Sequence, residues 1–384
     1  MLCMMLLIPW KMRWRMTKSN RFSRYIFAAV VLLAWISLTG FIVYAAEPFE
    51  LHLLDVGQGQ CVLIEADDHY MLIDGGGRSS SSFVVSYLKQ QGIDHFDLVA
   101  VSHYDEDHMS GVIGALSVFS ADEILLPSYA GEGELYQSLS TAAVSNGAVI
   151  LHPFAGEEFS LGGATVEVVG PVRTDYEWEN DRSLAFRITY GDVSCLVCGD
   201  AEGTSEWDMA NSGQDISADI YVVNHHGSRT SSTEPFLDAV SPSYALISCG
   251  KDNSYGHPTA EVLQRLQERG IQMYRTDRQG TVILYSDGYS IWSDRESCQD
   301  WTPGTYEDQT RQVPVGDGSG ERGDVAAGDS LEEIQYVCNT NTMKFHYPSC
   351  DSVKQMKESN RMNTNLSRDE LIAQGYQPCG NCHP

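Results

Sequence analysis

Ser102-His103-Tyr104-Asp105-Glu106-Asp107-His108 is the stretch on which the reading of this chain turns. It follows the β-rich run Leu98 to Val101 and precedes a helical pattern expected from about Gly111, so it sits where a strand hands over to a helix. His103, Asp105, Asp107 and His108 are four groups able to ligate a metal within six residues. Asp105 and Asp107 repel each other at close range, and a small divalent cation turns that repulsion into coordination energy. The plain alternative is a solvated acidic loop whose carboxylates cap the next helix. The density of imidazole and carboxylate beside a strand end favours metal, and a pair of ions rather than one.

Working outward, similar positions recur just past other β-rich runs. Asp74 follows Tyr70 to Ile73, Asp200 follows Cys195 to Val197, and His225-His226-Gly227-Ser228 follows Tyr221 to Val223. Alone, each reads as turn chemistry; together they line carboxylates and imidazoles along one rim. Further strands are expected at Leu51 to Val56, Cys61 to Glu65, Ile124 to Leu126, Ala148 to Leu151, Thr165 to Val169, Leu184 to Thr189, Ala245 to Ser248 and Thr281 to Tyr285. Helical patterns lie between several of them, notably Ala260 to Glu268, which Gly270 ends. Gly57-Gln58-Gly59 is no dinucleotide loop, because another strand rather than a helix follows it. Two mixed sheets packed face to face with helices outside both accommodate this order, an α/β (α+β) class.

In sequence order, Leu54-Asp55-Val56-Gly57-Gln58-Gly59, the H-x-D-x-D-H run His103 to His108, Cys198-Gly199-Asp200, His225-His226-Gly227-Ser228 and Asn253-Ser254-Tyr255-Gly256-His257-Pro258 resemble the metallo-β-lactamase fold superfamily. The closer likeness is to the extracellular metallo-hydrolase domain of the competence protein ComEC, over about residues 50 to 292. The resemblance implies a four-layered αββα sandwich with a two-metal centre at its rim. It places His103 and Asp105 in one metal site, Asp107 and His108 in the other, Asp200 between them, and His225 as the last imidazole, with His226 as the alternative. Asp74 takes the place of a carboxylate that orients the ligands. The superfamily's third-motif His has no convincing counterpart: His152 is the one His between the second motif and Asp200, and Asn180-Asp181-Arg182-Ser183 stands roughly in its place.

Asp105 in place of an imidazole hardens the first site and shifts its preference from Zn²⁺ toward Mn²⁺ or Mg²⁺. Two such ions roughly 3.5 to 4 Å apart suit in-line attack on phosphorus, so phosphodiester hydrolysis is the expected reaction class, with Asp107, Asp74 and His257 in the catalytic set. His257, Asn253 and Ser228 are expected as hydrogen-bond donors to a substrate oxygen, against a plain role in loop structure. The expected partner is a phosphodiester, single-stranded DNA on the family likeness. A cell-envelope phosphodiester or other ester, and a non-enzymatic metal-bound binding protein, stand as the other readings.

Charge divides the remainder. Residues 1–46 hold six basic residues and no acid and include the uncharged run Tyr25 to Ala46. At ~1.5 Å per residue its 22 residues reach about 33 Å, enough to cross a bilayer. The basic flank predicts an inside N-terminus, as a retained anchor or as a signal peptide cut near Val43-Tyr44-Ala45-Ala46. The rest is then extracytoplasmic, in contact with the membrane only if the leader stays. Residues 48–294, the expected hydrolase domain, carry 37 acids and 11 bases, which excludes a protein that coats nucleic acid by diffuse charge. Residues 295–333 read as an acidic, Gly-rich linker.

Residues 334–384 are the last module. His346-x₃-Cys350 and Cys379-x₂-Cys382 present four soft ligands in two short pairs, the spacing of a structural zinc, with Cys338 as an alternative. Fifty-one residues bury little core, so a metal staple would explain how they fold. The run resembles the Ada-like zinc-binding domain, with His346 where that family has its first Cys. Disulfides are the competing reading in an exported chain, yet nine cysteines remain after Cys3, an odd number. Cys61, Cys195 and Cys249 are expected as buried thiols.

Overall fold

Strands that are apolar on both faces need cover on both sides, and their sequences then run apolar without alternation. The computed structural model, which describes residues 49–304 and most of 336–379, meets that demand with two stacked sheets. The basic and apolar leader and Cys382 lie outside the described residues, among which no helix is long and apolar enough to cross a membrane.

The first half of the chain runs β1 (Phe49–Leu53), β2 (Val62–Ala66), β3 (His69–Ile73), α1 (Ser81–Gln90), β4 (His95–Ala100), α2 (Glu106–Leu116), β5 (Ser120–Leu125), α3 (Gly133–Asn146) and β6 (Val149–Leu151). The second runs β7 (Glu158–Leu161), β8 (Ala164–Gly170), β9 (Ala185–Tyr190), β10 (Val193–Val197), α4 (Gly203–Asn211), β11 (Ile220–Val222), α5 (Glu234–Val240), β12 (Tyr244–Ile247), α6 (Ala260–Glu268), β13 (Gln272–Arg275), α7 (Thr276–Gln279), β14 (Val282–Ser286) and β15 (Ile291–Ser293). One sheet has the order β15-β14-β1-β2-β3-β4-β5-β6, the other β13-β12-β11-β10-β9-β8-β7.

Side chains two apart along each strand share a face. Met71, Ile73, Leu98 and Ala100 of the first sheet meet Cys195, Val197, Ile220, Val222 and Leu246 of the second in the central core. Leu72, Val99 and Ile124 face the other way, onto Val84, Leu88, Met109, Val112 and Leu139 of α1, α2 and α3. On the far side, Leu196, Tyr221 and Ala245 pack beneath Met209, Phe236, Leu237, Val262 and Leu266 of α4, α5 and α6. The result is the expected αββα order of layers.

Strands β3 to β6 are mutually parallel, as are β10 to β13. Their C-terminal ends therefore share an edge in each sheet, and ligands in such sheets collect at that edge. Asp74, His103, Asp200 and His226 all stand just beyond such ends.

Two expectations change. Residues 295–304, placed in the linker by composition, pack on the domain. Cys298 and Trp301 join the outer core of the second sheet. The guanidinium of fully buried Arg275 donates to Asp277 Oδ1 (3.0 Å) and Oδ2 (2.8 Å) and to the carbonyls of Asp300 (3.0 Å) and Thr302 (2.7 Å). A buried cation with four of its five N–H donors met in this way fastens that segment. The helix expected near Gly111 instead begins at Glu106, so Asp107 and His108 occupy its first turn. Gly111 is there for approach: a Cβ on it would run into the carbonyl oxygen of Gly75.

The second compact unit, beyond Arg311, carries β16 (Tyr336–Asn339), β17 (Lys344–His346), the short helix α8 (Asp351–Lys354), β18 (Arg361–Thr364) and β19 (Gln377–Pro378), with sheet order β18-β16-β17-β19. Tyr336, Cys338, Phe345 and Leu371 cluster together, and Val337, Cys350, Val353 and Cys379 form a second cluster.

Candidate metal centre

The centre is built from loops that the strand edge brings together. Asp74 lies at the left-handed φ of 60° just past β3, a conformation Asp tolerates better than most residues. Its Oδ1 accepts from the Ser102 N–H (2.7 Å), and its Oδ2 from Ser102 Oγ (2.7 Å) and Gln60 Nε2 (2.9 Å). The same Oδ2 lies 2.8 Å from His108 Nδ1. With Nδ1 held from behind, His108 Nε2 faces the cluster.

That Nε2 is 3.2 Å from Asp200 Oδ1 and 3.4 Å from His226 Nε2. His226 Nε2 is in turn 3.4 Å from Asp107 Oδ2 and 3.5 Å from Asp200 Oδ2, while its Nδ1 is set by the Ser248 carbonyl at 3.0 Å. On the other side, His103 Nε2 is 3.6 Å from Asp105 Oδ2 and 3.9 Å from Asp200 Oδ2. Two overlapping donor sets emerge, His103–His108–Asp200 and Asp107–His108–His226, each with its ligand atoms within 4.8 Å of one another.

His225 and His226 are consecutive residues in the left-handed region, at φ 48° and 56°. Strain of this kind, about 1–3 kcal/mol per residue, collects where a site demands it. The turn it creates aims the two rings differently. His226 is buried and joins Asp107 and His108, whereas His225 stands at the rim, its Nδ1 3.1 Å from Glu202 Oε1 and its Nε2 3.6 Å from Asp200 Oδ2. The inward imidazole of the second set is thus His226, where the family likeness put His225 first.

The fit to cations rests on these donors. Among the described residues, buried His103 Nε2 and Asp200 Oδ1 have no hydrogen-bond partner of good geometry, although His108 Nε2 lies 3.2 Å from the latter. Burial opposes ionisation of Asp200, but His108, His226 and His225 outweigh it and hold its carboxyl well below the usual range. Conversely, burial would strip His226 of its proton, yet Asp200 and Asp107 push its pKa up to about 10. His108 is raised likewise, by Asp200 and Asp74 against burial. Carboxylates that hold protons on neighbouring imidazoles are asking for positive charge, and divalent ions supply it in the same place.

The remaining expected residues divide. His257 borders the cluster, its ring 6.3 Å from that of His226, and burial together with the nearby His225 and His226 lowers its pKa to about 3. Asn253 donates both amide N–H groups within its own loop, to the carbonyls of Gly250 (2.8 Å) and His257 (2.6 Å), so it shapes the loop and has no donor left for a substrate. Ser228 Oγ pairs with Thr230 Oγ1 at 2.9 Å. His152 is exposed and caps the carbonyls of Leu126 and Pro127, and Asp181 accepts from the N–H groups of Glu202 and Ser205. Neither supplies the missing third-motif imidazole.

Sequence reading missed Gln60, Ser102, Glu202 and the Ser248 carbonyl, the groups that hold Asp74, His225 and His226 in place. Ser102 was legible as the polar residue opening the motif, and Gln60 as the polar end of Gly57-Gln58-Gly59-Gln60. Glu202 and Ser248 carried no local signal.

In the second unit, His346, Cys350 and Cys379 bring three ligand atoms within 4.8 Å. The two Sγ atoms are 4.0 Å apart, far beyond a disulfide's ~2.05 Å and near the spacing of thiolates that share a zinc at ~2.3 Å each. Buried His346 Nδ1 has no partner among the described residues. Cys338 faces Tyr336 and Phe345, one residue out of register with Val337 on the donor side, so it does not join the set.

An αββα sandwich with paired His/Asp donor sets at the C-terminal edge of its strands defines a metal-dependent class of proteins, and the sequence comparison agrees. Residues 54–251 match the model of the Metallo-beta-lactamase superfamily, to which the chain belongs; its members are generally hydrolases, and the fold implies divalent metal binding. The chain is 29% identical over 251 residues to ComE operon protein 3 of Bacillus subtilis, covering 61% of this chain and 32% of that protein. It is 31% identical over 261 residues to Competence protein ComA of Neisseria gonorrhoeae, covering 66% and 35%. The chain thus spans about a third of the length of these relatives. Among solved structures, the metallo-beta-lactamase fold protein YhfI from Bacillus subtilis aligns over 59% of this chain and 96% of its own at a TM-score of 0.40 and 14% identity.

Proposed function

We propose that this chain is an extracytoplasmic two-cation phosphodiesterase that cleaves DNA, single strands first. The observation that carries the reading is the position of Asp200, whose two oxygens lie within 3.9 Å of imidazole nitrogens from both donor sets. One carboxylate shared in this way suits a pair of ions. Manganese or zinc ions held there would lower the pKa of an attacking water and neutralise charge on the phosphate oxygens. His103 and Asp105 would hold one ion, Asp107, His108 and His226 the other, with Asp200 between them. Asp74 fixes the His108 tautomer, and His257, uncharged at neutral pH, stands beside the cluster as a donor to a substrate oxygen. The oxygen ligand Asp105 is the ground for preferring manganese.

DNA enters through the relatives, two of which are named for the ComE operon and for competence. The extracytoplasmic placement rests on the basic and apolar pattern of residues 1–46, and the tail set His346, Cys350, Cys379 with Cys382 is read as a structural zinc. The excess of 37 acids over 11 bases in residues 48–294 favours a second reading, in which an envelope diester or ester replaces DNA. The test is hydrolysis of bis(p-nitrophenyl) phosphate, single-stranded DNA and envelope polymers by residues 47–384 with Mn²⁺. Asp107→Ala should abolish it. Retained activity in that variant, or no diester cleavage by the parent with Mn²⁺ or Zn²⁺, overturns the reading.

A further inference from the structure

The loop after β12 ends in an aromatic side chain that neither core nor metal ligation explains. Tyr255 is 65% exposed, and its hydroxyl has no hydrogen-bond partner among the described residues. We propose that Tyr255 is a stacking platform for a nucleobase of the substrate strand, an inference that rests on the phosphodiesterase reading above.

Three planar rings lead inward from solvent. Tyr255 lies over His257 with centroids 5.6 Å apart and planes at 24°, and His257 lies over His226 at 6.3 Å and 28°. His226 reaches the donor set through its Nε2, 3.4 Å from Asp107 Oδ2. A diester held at the centre therefore has the outer face of Tyr255 two rings away.

The loop is built to keep that face in place. Asn253 Oδ1 accepts from the N–H groups of Tyr255 (3.1 Å) and His257 (3.0 Å), while its amide donates to the Gly250 and His257 carbonyls. Gly304 N–H donates to the Pro258 carbonyl at 2.9 Å, so the segment that Arg275 anchors braces the loop from outside. A side chain displayed by a fixed backbone gives up little freedom on binding.

The face of a base is planar and uncharged, and aromatic stacking holds any base without reading its sequence.

Initial rates of the full chain with Mn²⁺ on a single-stranded oligonucleotide and on an abasic oligonucleotide of equal length test this. The parent should show a KM on the order of 5- to 100-fold lower for the base-bearing strand. Tyr255→Ala should remove that preference with kcat nearly unchanged, and Tyr255→Trp should restore it. Equal loss on both strands, or no change on either, overturns the platform. Parent enzyme that cleaves bis(p-nitrophenyl) phosphate but neither strand overturns the nucleobase inference and leaves the phosphodiesterase standing; parent enzyme that cleaves no diester overturns both.

Discussion

Asp74→Asn isolates the role of a residue that touches no expected metal position directly. The Ser102 N–H can only donate, so the Asn carbonyl must take the place of Oδ1, and its NH₂ then stands where Oδ2 met His108 Nδ1 at 2.8 Å. That NH₂ donates to Nδ1 and moves the imidazole proton to Nε2, the nitrogen that faces Asp200 and His226. A protonated Nε2 cannot ligate. The fold should survive, because the second N–H of that NH₂ can go to Ser102 Oγ turned to accept or to the flipped Gln60 amide, leaving one lost hydrogen bond at the site. Losing an outer partner of a ligand His typically costs 10–100-fold in metal affinity, about 1.4 to 2.7 kcal/mol, and the wrong tautomer puts this variant at the upper end. Manganese titration followed by electron paramagnetic resonance should show the second ion weakened by about 100-fold, with the melting temperature of the metal-free protein shifted by only a few degrees. Parent-like affinity for both ions in Asp74→Asn would mean that the carboxylate does not set the His108 tautomer.

Other outcomes follow from the same geometry. His226→Ala should lower metal content from two ions to one, whereas His225→Ala keeps two; elemental analysis of the purified variants decides, and the reverse result would exchange the two rings. Cation uptake should displace protons from His108 and His226, so apparent affinity rises with pH, by as much as tenfold per unit for each proton released. Calorimetry in two buffers of different ionisation enthalpy reads that release, and a pH-independent affinity contradicts it. In the metal-free protein His226 keeps its charge to about pH 10 when folded but only to ~6.5 when unfolded, so its contribution to stability is full below ~6.5 and fades as pH rises toward 10. Gly111→Ala sets a methyl against the Gly75 carbonyl and should destabilise the fold by about 1–3 kcal/mol or more in a denaturant melt. If the tail holds a structural zinc as proposed, Cys350→Ser should lower the zinc content by one ion per chain in elemental analysis while leaving diester hydrolysis intact, and unchanged zinc content contradicts that reading.

Much of the sandwich was legible because strand-forming runs such as Met71 to Ile73 and Cys195 to Val197 are apolar on both faces, which demands cover on both sides. What escaped lacked that signal. Strand β13 reads Gln272-Met273-Tyr274-Arg275, and only the partners of Arg275 across the fold make a buried guanidinium tolerable. The start of α2 was misplaced because Gly111 looks like a boundary in one dimension and is a point of backbone contact in three.

The sequence by itself determined which residues could hold cations. Acids and imidazoles crowded beyond strand ends repel or compete unless a cation joins them, and that requirement is local. Which ring turns inward was decided only by tertiary structure. His225 and His226 are chemically identical neighbours, and their difference comes from consecutive left-handed residues and from distant partners, Ser248 behind one and Glu202 behind the other. The same holds for Tyr255 and for Asn253: a tip residue and a loop residue look alike in sequence, and only the packed loop shows that one is displayed while the other is used up inside.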